Sequence, residues 1–410
     1  MSTIRWTEAD TDHSARWHSE SAAAAPEHII VADDRMRAET AYRLACQGTA
    51  LLWRGDFHNA RQLLRALSRR IDRKPVPASA GPAESFHLYR RARGQRARVL
   101  GRLIVQLEPD HSLALRRAPD VRQACTQAYG SAREPMVIAL TELLGAIGAH
   151  QWRENGVPVP ALGARIHPHY GVFSPVRGEY VDLVAQAPLP VEHRRAFDLG
   201  TGTGVLAAVL ARRGVGHIVA TDINPRALAC ARDNVDRLGL TDRVDVQGPG
   251  LYPDGRAHLV VCNPPWLPIR PTSAIDQGVY DPDGVMLRAF LNGLPAHLAP
   301  GGEAWLVLSD LAERLGLRTR TELLTAIDSA GLHIVDRIDT RPHHCRPRDR
   351  TDPLYAARAA EVTSLWRLVS GHRPSTGNSS GPQADPWGNR VKTTRAGHAA
   401  TYGLENVWPK

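Results

Sequence analysis

The chain has 410 residues, 43% of them hydrophobic, and carries 51 Lys and Arg against 42 Asp and Glu for a net charge of +9. Length and apolar content fit two or three packed domains and exclude a fibrous or wholly disordered chain. No apolar run approaches the roughly 20 residues of a membrane helix, and the polar, acidic start Met1 to Asp12 is unlike a signal peptide, so a cytoplasmic protein with no membrane partner is expected.

The five cysteines, Cys46, Cys125, Cys230, Cys262 and Cys345, are odd in number and form no CxxC pair, which argues against a disulfide framework or a zinc ribbon. The positive charge is nearly all arginine, since Lys74, Lys392 and Lys410 are the only lysines. It fits an anionic partner such as nucleic acid or a ribosome-bound factor.

Residues 1–34 mix Asp, Glu, His and Ala without periodicity and read as a flexible arm. From 35 to 150 the pattern predicts a small, basic, helical domain. Asp56 caps a helix whose apolar face is Phe57, Ala60, Leu64, Leu67 and Ile71, while Arg61, Arg65, Arg69 and Arg70 fall largely opposite. Prolines between Lys74 and Pro82 end it before a second basic helix bearing Arg90, Arg91, Arg93, Arg96, Arg98 and Arg102. Asp120, after Pro119, and Pro135 mark two further helix starts. Between residues 35 and 133 there are 20 basic and 7 acidic side chains, so the positive charge is concentrated in this domain, which reads as a substrate-recognition unit or a lid.

After a loop, Asn155 to Tyr170, residues 151–370 alternate short apolar runs with helical stretches, the pattern of a parallel α/β sheet. Residues 371–410, rich in Ser, Gly, Pro and Asn, read as a disordered tail.

Ala196-Phe197-Asp198-Leu199 runs into Gly200-Thr201-Gly202-Thr203-Gly204 and then an apolar helix. Glycines at a strand-to-helix turn let a ligand reach the backbone. Asp198 ahead of them suits a cationic amino acid moiety and is a poor neighbour for a pyrophosphate, which counts against a dehydrogenase. Asp222, ending the next strand, is placed to accept from both hydroxyls of a ribose. Nucleoside plus amino acid describes S-adenosylmethionine; the plainer reading of both acids is as helix caps.

The fourth strand, His258 to Cys262, opens into Asn263-Pro264-Pro265-Trp266. Two prolines remove backbone donors and fix the chain. The Asn263 side-chain oxygen and the Pro264 carbonyl can each accept an N–H of a target NH2 group, with Trp266 stacked on its flat face.

With these two motifs together, residues 165–370 resemble class I methyltransferases of the HemK-like N5-glutamine and N6-adenine group, whose signature is Asn-Pro-Pro followed by Tyr, Phe or Trp. The resemblance implies a Rossmann-like sheet of seven strands preceded by the small all-α domain. It implies S-adenosylmethionine bound by Asp198, Gly200, Thr201, Gly202, Gly204, Asp222 and Asn263, with Asn263, Pro264 and Trp266 at the target nitrogen. Phe173-Ser174-Pro175 with Arg177 and Glu179 is similar to the segment that precedes the fold in that group. Gln247-Gly248-Pro249-Gly250-Leu251 departs from it, since the family usually has an acid there beside the adenine.

His167 with His169, and His343-His344-Cys345, offer too few ligands for a metal site, and no metal is expected. The acceptor stays open between a protein glutamine, an adenine-type amine and a small metabolite. A fourth option is a decayed fold that binds RNA or the ribosome without catalysis. The sequence assigns no oligomeric state.

Overall fold

The computed structural model describes residues 2–73, 81–131, 134–271, 275–342 and 352–371. The N-terminal unit runs β1 (Thr3–Glu8), β2 (Thr11–Trp17), β3 (Ile29–Ala32), α1 (Ala38–Cys46), β4 (Ala50–Trp53), α2 (Phe57–Asp72), α3 (Pro82–Leu100), β5 (Leu103–Leu107), α4 (Arg122–Tyr129), β6 (Met136–Ala139) and α5 (Leu140–Asn155). Its six strands form one sheet in the order β1-β2-β6-β5-β4-β3. β3, β4 and β5 are parallel, joined by helical crossovers.

Two expectations fail here for identifiable reasons. Residues 1–34 are not a free arm, because they supply three strands. Ile4 and Trp6 alternate with polar neighbours and, with Ala15, bury against Leu52, Ile104 and Val137. That is the period of two that one buried sheet face demands. Nor is the unit all-α. Ala50–Trp53 and Met136–Ala139 are buried at every position, so these central strands show no alternation and merge in sequence with the adjoining helical patterns. Pro135 thus precedes a strand, and the helix begins at Leu140.

The helices themselves follow simple rules. The Asp56 Oδ1 accepts the His58 N–H at 2.8 Å as the cap of α2, which buries Phe57, Ala60, Leu63 and Leu67. α3 starts with Pro82 in its first turn, where a missing N–H costs nothing.

The segment read as a loop after Asn155 holds a small antiparallel ribbon, β7 (Val157–Val159) and β8 (Ala164–Ile166). There follow α6 (Glu179–Gln186), β9 (Arg195–Leu199), α7 (Val205–Arg212), β10 (His217–Thr221), α8 (Pro225–Arg237), β11 (Val244–Gln247) and β12 (Ala257–Cys262). The chain then forms α9 (Val285–His297), β13 (Leu298–Ser309), α10 (Leu311–Arg314), α11 (Arg320–Ser329), β14 (Leu332–Thr340), α12 (Tyr355–Ala359) and β15 (Thr363–Ser370). These strands make a seven-stranded sheet in the order β11-β10-β9-β12-β13-β15-β14, parallel except for β15, which runs antiparallel to both neighbours. Apolar clusters cover both faces, one around α6 and α7 and the other around α9 and α11.

The strand order reverses between β9 and β12, so the crevice beyond their C-terminal ends is where an open α/β sheet binds ligands. The two units meet along a mixed seam. Arg226 pairs with Glu20 at 2.7 Å, Arg153 with Asp233 at 3.3 Å, and Phe86 of α3 packs with Leu267, Leu311 and Leu354. No helix among the described residues is long and apolar enough to cross a membrane. The tail proposed for 371–410 lies, beyond Gly371, outside the described residues.

Candidate active site

Strand register brings the two motifs together. Leu199, the last residue of β9, sits between Thr221 of β10 and Cys262 of β12. Gly200, Asp222 and Asn263 therefore leave three adjacent strands at the same level, about 5 Å from strand to strand. Every residue singled out for cofactor or acceptor follows or ends one of these strands.

The glycine turn needs its glycines. Gly200, Gly202 and Gly204 have φ of +70°, +56° and +80°, a region other residues enter at a cost. No atom lies within 4 Å of where a Cβ on Gly202 would stand, so bare backbone faces open space there. At Gly204 a Cβ would press on Ala231 at 3.3 Å, which shows that this glycine serves the contact between α7 and α8.

Asp198 is buried. Its Oδ2 accepts the Thr201 hydroxyl at 2.6 Å and the Ala207 N–H at 3.0 Å, so it fixes the turn to the start of α7. Burial pushes its pKa up to about 6 against the pull of those two bonds. Asp222 Oδ2 accepts the Gly202 N–H at 3.0 Å and Oδ1 the Asn224 N–H at 2.8 Å. Burial raises its pKa too. Both acids thus have local bonding roles, and an ionised carboxylate with four acceptor positions keeps capacity beyond the two used.

Beneath β11, the backbone of Gly248 comes so close to Asp222 that a Cβ would stand 2.8 Å from the Asp222 carbonyl oxygen. At this point, where the resemblance noted an acid in the family and none in this chain, the crevice is shaped by backbone.

The turn from Asn263 to Trp266 is braced from behind. The Trp266 indole N–H donates to Asn263 Oδ1 at 2.9 Å, and the Arg177 guanidinium lies over the Trp266 ring, 4.9 Å from its centre. Arg177 in turn bonds Glu179 at 2.7 Å and Glu361 at 2.9 Å, and Ser309 at the end of β13 donates to the same Glu361 oxygen at 2.7 Å. Both glutamates are almost fully buried. Glu361 was invisible in sequence, because its partners lie 184 and 52 residues away. Asp281 caps α9 through the N–H groups of Met286 and Leu287, and the Met286 side chain closes over Gly200.

The histidines have other work. His167 Nδ1 donates to the Arg153 carbonyl at 2.6 Å, and His169 Nε2 lies 3.0 Å from Asp233. No group of three metal-ligating side chains occurs among the described residues, and His343-His344-Cys345 lies outside them.

The chain is similar in sequence to known methyltransferases. Residues 163–319 match the methyltransferase small domain family. The release factor glutamine methyltransferase of Xylella fastidiosa is 34% identical over 219 residues, covering 47% of this chain and 76% of that protein. The one from Cereibacter sphaeroides is 33% identical over 166 residues, 35% of this chain, and the match spans only 59% of its length. The ribosomal protein L11 methyltransferase of Vibrio vulnificus is 35% identical over 97 residues, 23% of this chain and 33% of its own. A solved structure of a ribosomal protein L11 methylase from Lactobacillus delbrueckii aligns with a TM-score of 0.35 at 18% identity, covering 49% of this chain and 82% of that one.

Proposed function

Since the chain belongs to the HemK-like family of S-adenosylmethionine-dependent methyltransferases that includes the release factor glutamine methyltransferases, we propose that it methylates the side-chain amide nitrogen of a glutamine in a protein acceptor. The observation that supports this most is the Asn-Pro-Pro-Trp turn leaving β12 level with the glycine turn of β9.

The residues present suit the cofactor. A left-handed glycine turn with open space at Gly202, and two strand-end carboxylates, match a nucleoside joined to a cationic amino acid. Gly200, Thr201, Gly202 and Gly204 would line it, with Asp198 toward the amino acid end, Asp222 toward the ribose and Asn263 at the methyl. When bound, S-adenosylmethionine supplies an electrophilic methyl on a sulfonium and a good leaving group.

The chain's own contribution is orientation. An amide nitrogen is a weak nucleophile because its lone pair is delocalised into the carbonyl. Asn263 Oδ1 has two acceptor positions, one taken by the Trp266 indole N–H and one free for an acceptor N–H. The Pro264 carbonyl takes the second N–H, so both hydrogens are held and the lone pair faces the methyl. The Trp266 ring packs on the amide plane. The extra proton on the methylated nitrogen is strongly acidic and passes to water, so no general base is needed.

Calorimetry with S-adenosylmethionine on the wild type and Asp222→Ala, followed by tritiated-methyl transfer to release factors and ribosomal proteins, tests the reading. Binding lost in the variant, with the label recovered as N5-methylglutamine, supports it. Label recovered in a nucleobase or a small metabolite overturns it.

A further inference from the structure

The site leaves unexplained the charge of α2 and α3. Arg61, Arg65, Arg69 and Arg73 follow one another at intervals of four residues along α2 and its C-terminal cap. That spacing sets them on one slowly turning stripe, about 6 Å apart and about 18 Å from end to end. Arg65, Arg69 and Arg73 are exposed, and none of the four has a hydrogen-bond or ion-pair partner among the described residues. α3 adds Arg91 and Arg93, equally unpartnered among the described residues.

The two helices together carry Asp72 and Glu84 as their only acids, and Asp72 is bonded to Arg96 and Ser68. Most arginines of the C-terminal unit, by contrast, are spent on carboxylates or carbonyls, as Arg177, Arg213, Arg226, Arg256 and Arg367 are. Like charges spaced four apart on a helix repel and weaken it. An external polyanion would relieve that repulsion.

The position of the stripe matters as much as its sign. α3 is pinned to α2 by Arg96, which bonds Ser68 and Asp72. It is pinned to the acceptor side of the catalytic unit by Arg90, which donates to the Arg270 carbonyl at 2.8 Å and lies over Tyr280. Near the same seam, Gly316 lies against Ala83 of α3, and two residues on the buried Nε and Nη2 of Arg318 have no hydrogen-bond partner among the described residues.

We propose that α2 and α3 form a binding surface for the phosphate backbone of RNA, beside the acceptor mouth where Arg90 of α3 meets Arg270 and Tyr280. Repeated phosphates satisfy a row of unpaired guanidiniums without requiring any base to be read. The choice of RNA over another polyanion rests on the reading above, since the relatives named there are methyltransferases of release factors and of a ribosomal protein.

The test is anisotropy of a labelled RNA hairpin with the full chain, wild type against the triple variant Arg65→Gln, Arg69→Gln, Arg73→Gln, with S-adenosylmethionine affinity as the check on folding. The variant is expected to bind RNA at least tenfold more weakly, with the slope of log K against log salt reduced by roughly 2 to 3. The matching triple Lys variant should retain most of the binding. Equal RNA binding by wild type and Gln variant, tighter binding of a DNA duplex of the same sequence, or equal competition by polyglutamate overturns the proposal. Because RNA binding is read without methyl transfer, RNA bound with no glutamine methylated would sink only the functional reading. Glutamine methylated with no RNA bound would sink only this one.

Discussion

The Trp266 indole N–H holds the Asn263 side-chain oxygen at 2.9 Å, so the amide we propose as the orienter of the acceptor is itself oriented by the ring proposed to stack on it. An asparagine amide free to flip would present its NH2 to the acceptor half of the time. Trp266→Phe keeps the stacking surface and removes the donor. A single orienting hydrogen bond is worth about 1 to 1.5 kcal/mol, so kcat should fall roughly tenfold. The KM for S-adenosylmethionine should stay unchanged in initial-rate measurements. Asn263→Ala removes the acceptor altogether and should cost about 10² to 10³ in kcat, as loss of a charge-stabilising contact does elsewhere.

Behind Trp266, one guanidinium serves two buried carboxylates. Arg177 bonds Glu179 and Glu361, whose side chains are 2% and 1% exposed. Arg177→Met leaves both unpaired away from water, and breaking a buried pair by removing one partner costs about 3 to 5 kcal/mol. Thermal unfolding should show a large loss in Tm, and adding Glu361→Gln should restore part of it. If the variant melts as the wild type does, the cluster is not the brace described here.

These predictions also mark where the sequence was readable. Asp198 near the end of β9, and the glycine turn, Asp222 and Asn263 to Trp266 just after short apolar strands, were singled out from neighbours within a few residues, and strand register brings them together. Arg177 was noticed only for its resemblance to a family segment. Its partner Glu361 joins it across 184 residues, and no local pattern records such a contact. The N-terminal unit was misread because its central strands are buried on both sides and give no alternation. β1 did alternate, through Ile4 and Trp6, but β2 buries only Ala15, and the surrounding Asp, Glu and His drew the reading toward disorder.

Gly202 separates ligand binding from folding. Its backbone sits at φ +56°, where a Cβ costs about 1 to 2 kcal/mol, yet no atom lies within 4 Å of that Cβ. Gly202→Ala should therefore fold with a modest loss in Tm while a methyl group intrudes on the cofactor side. Calorimetry should find S-adenosylmethionine binding weakened more than tenfold. Gly204→Ala makes the opposite case, pressing on Ala231 at 3.3 Å inside the fold, and should lower Tm more than affinity.

Asp198 should make cofactor binding depend on pH. Its pKa is raised to about 6 by burial, from 3.8 in an unfolded chain. A raised carboxylate pKa means the folded state holds the proton more tightly than the unfolded state. Stability is then greatest below about 4 for this group, and is lost as pH rises through 6, by about 3 kcal/mol in all. Asp198→Asn removes the dependence, so the cofactor-free variant should gain in Tm relative to wild type as pH is raised from 5 to 7. A cationic amino group beside Asp198 has the reverse preference, since it favours the ionised form. Affinity for S-adenosylmethionine should accordingly be greatest near pH 7, fall by up to tenfold per unit below 6, and fall again above about 8 as the α-amino group of the cofactor loses its own proton. In Asp198→Asn it should be weak and level across that range. A wild-type affinity that does not change between pH 5 and 8 would place the cationic end of the cofactor away from Asp198.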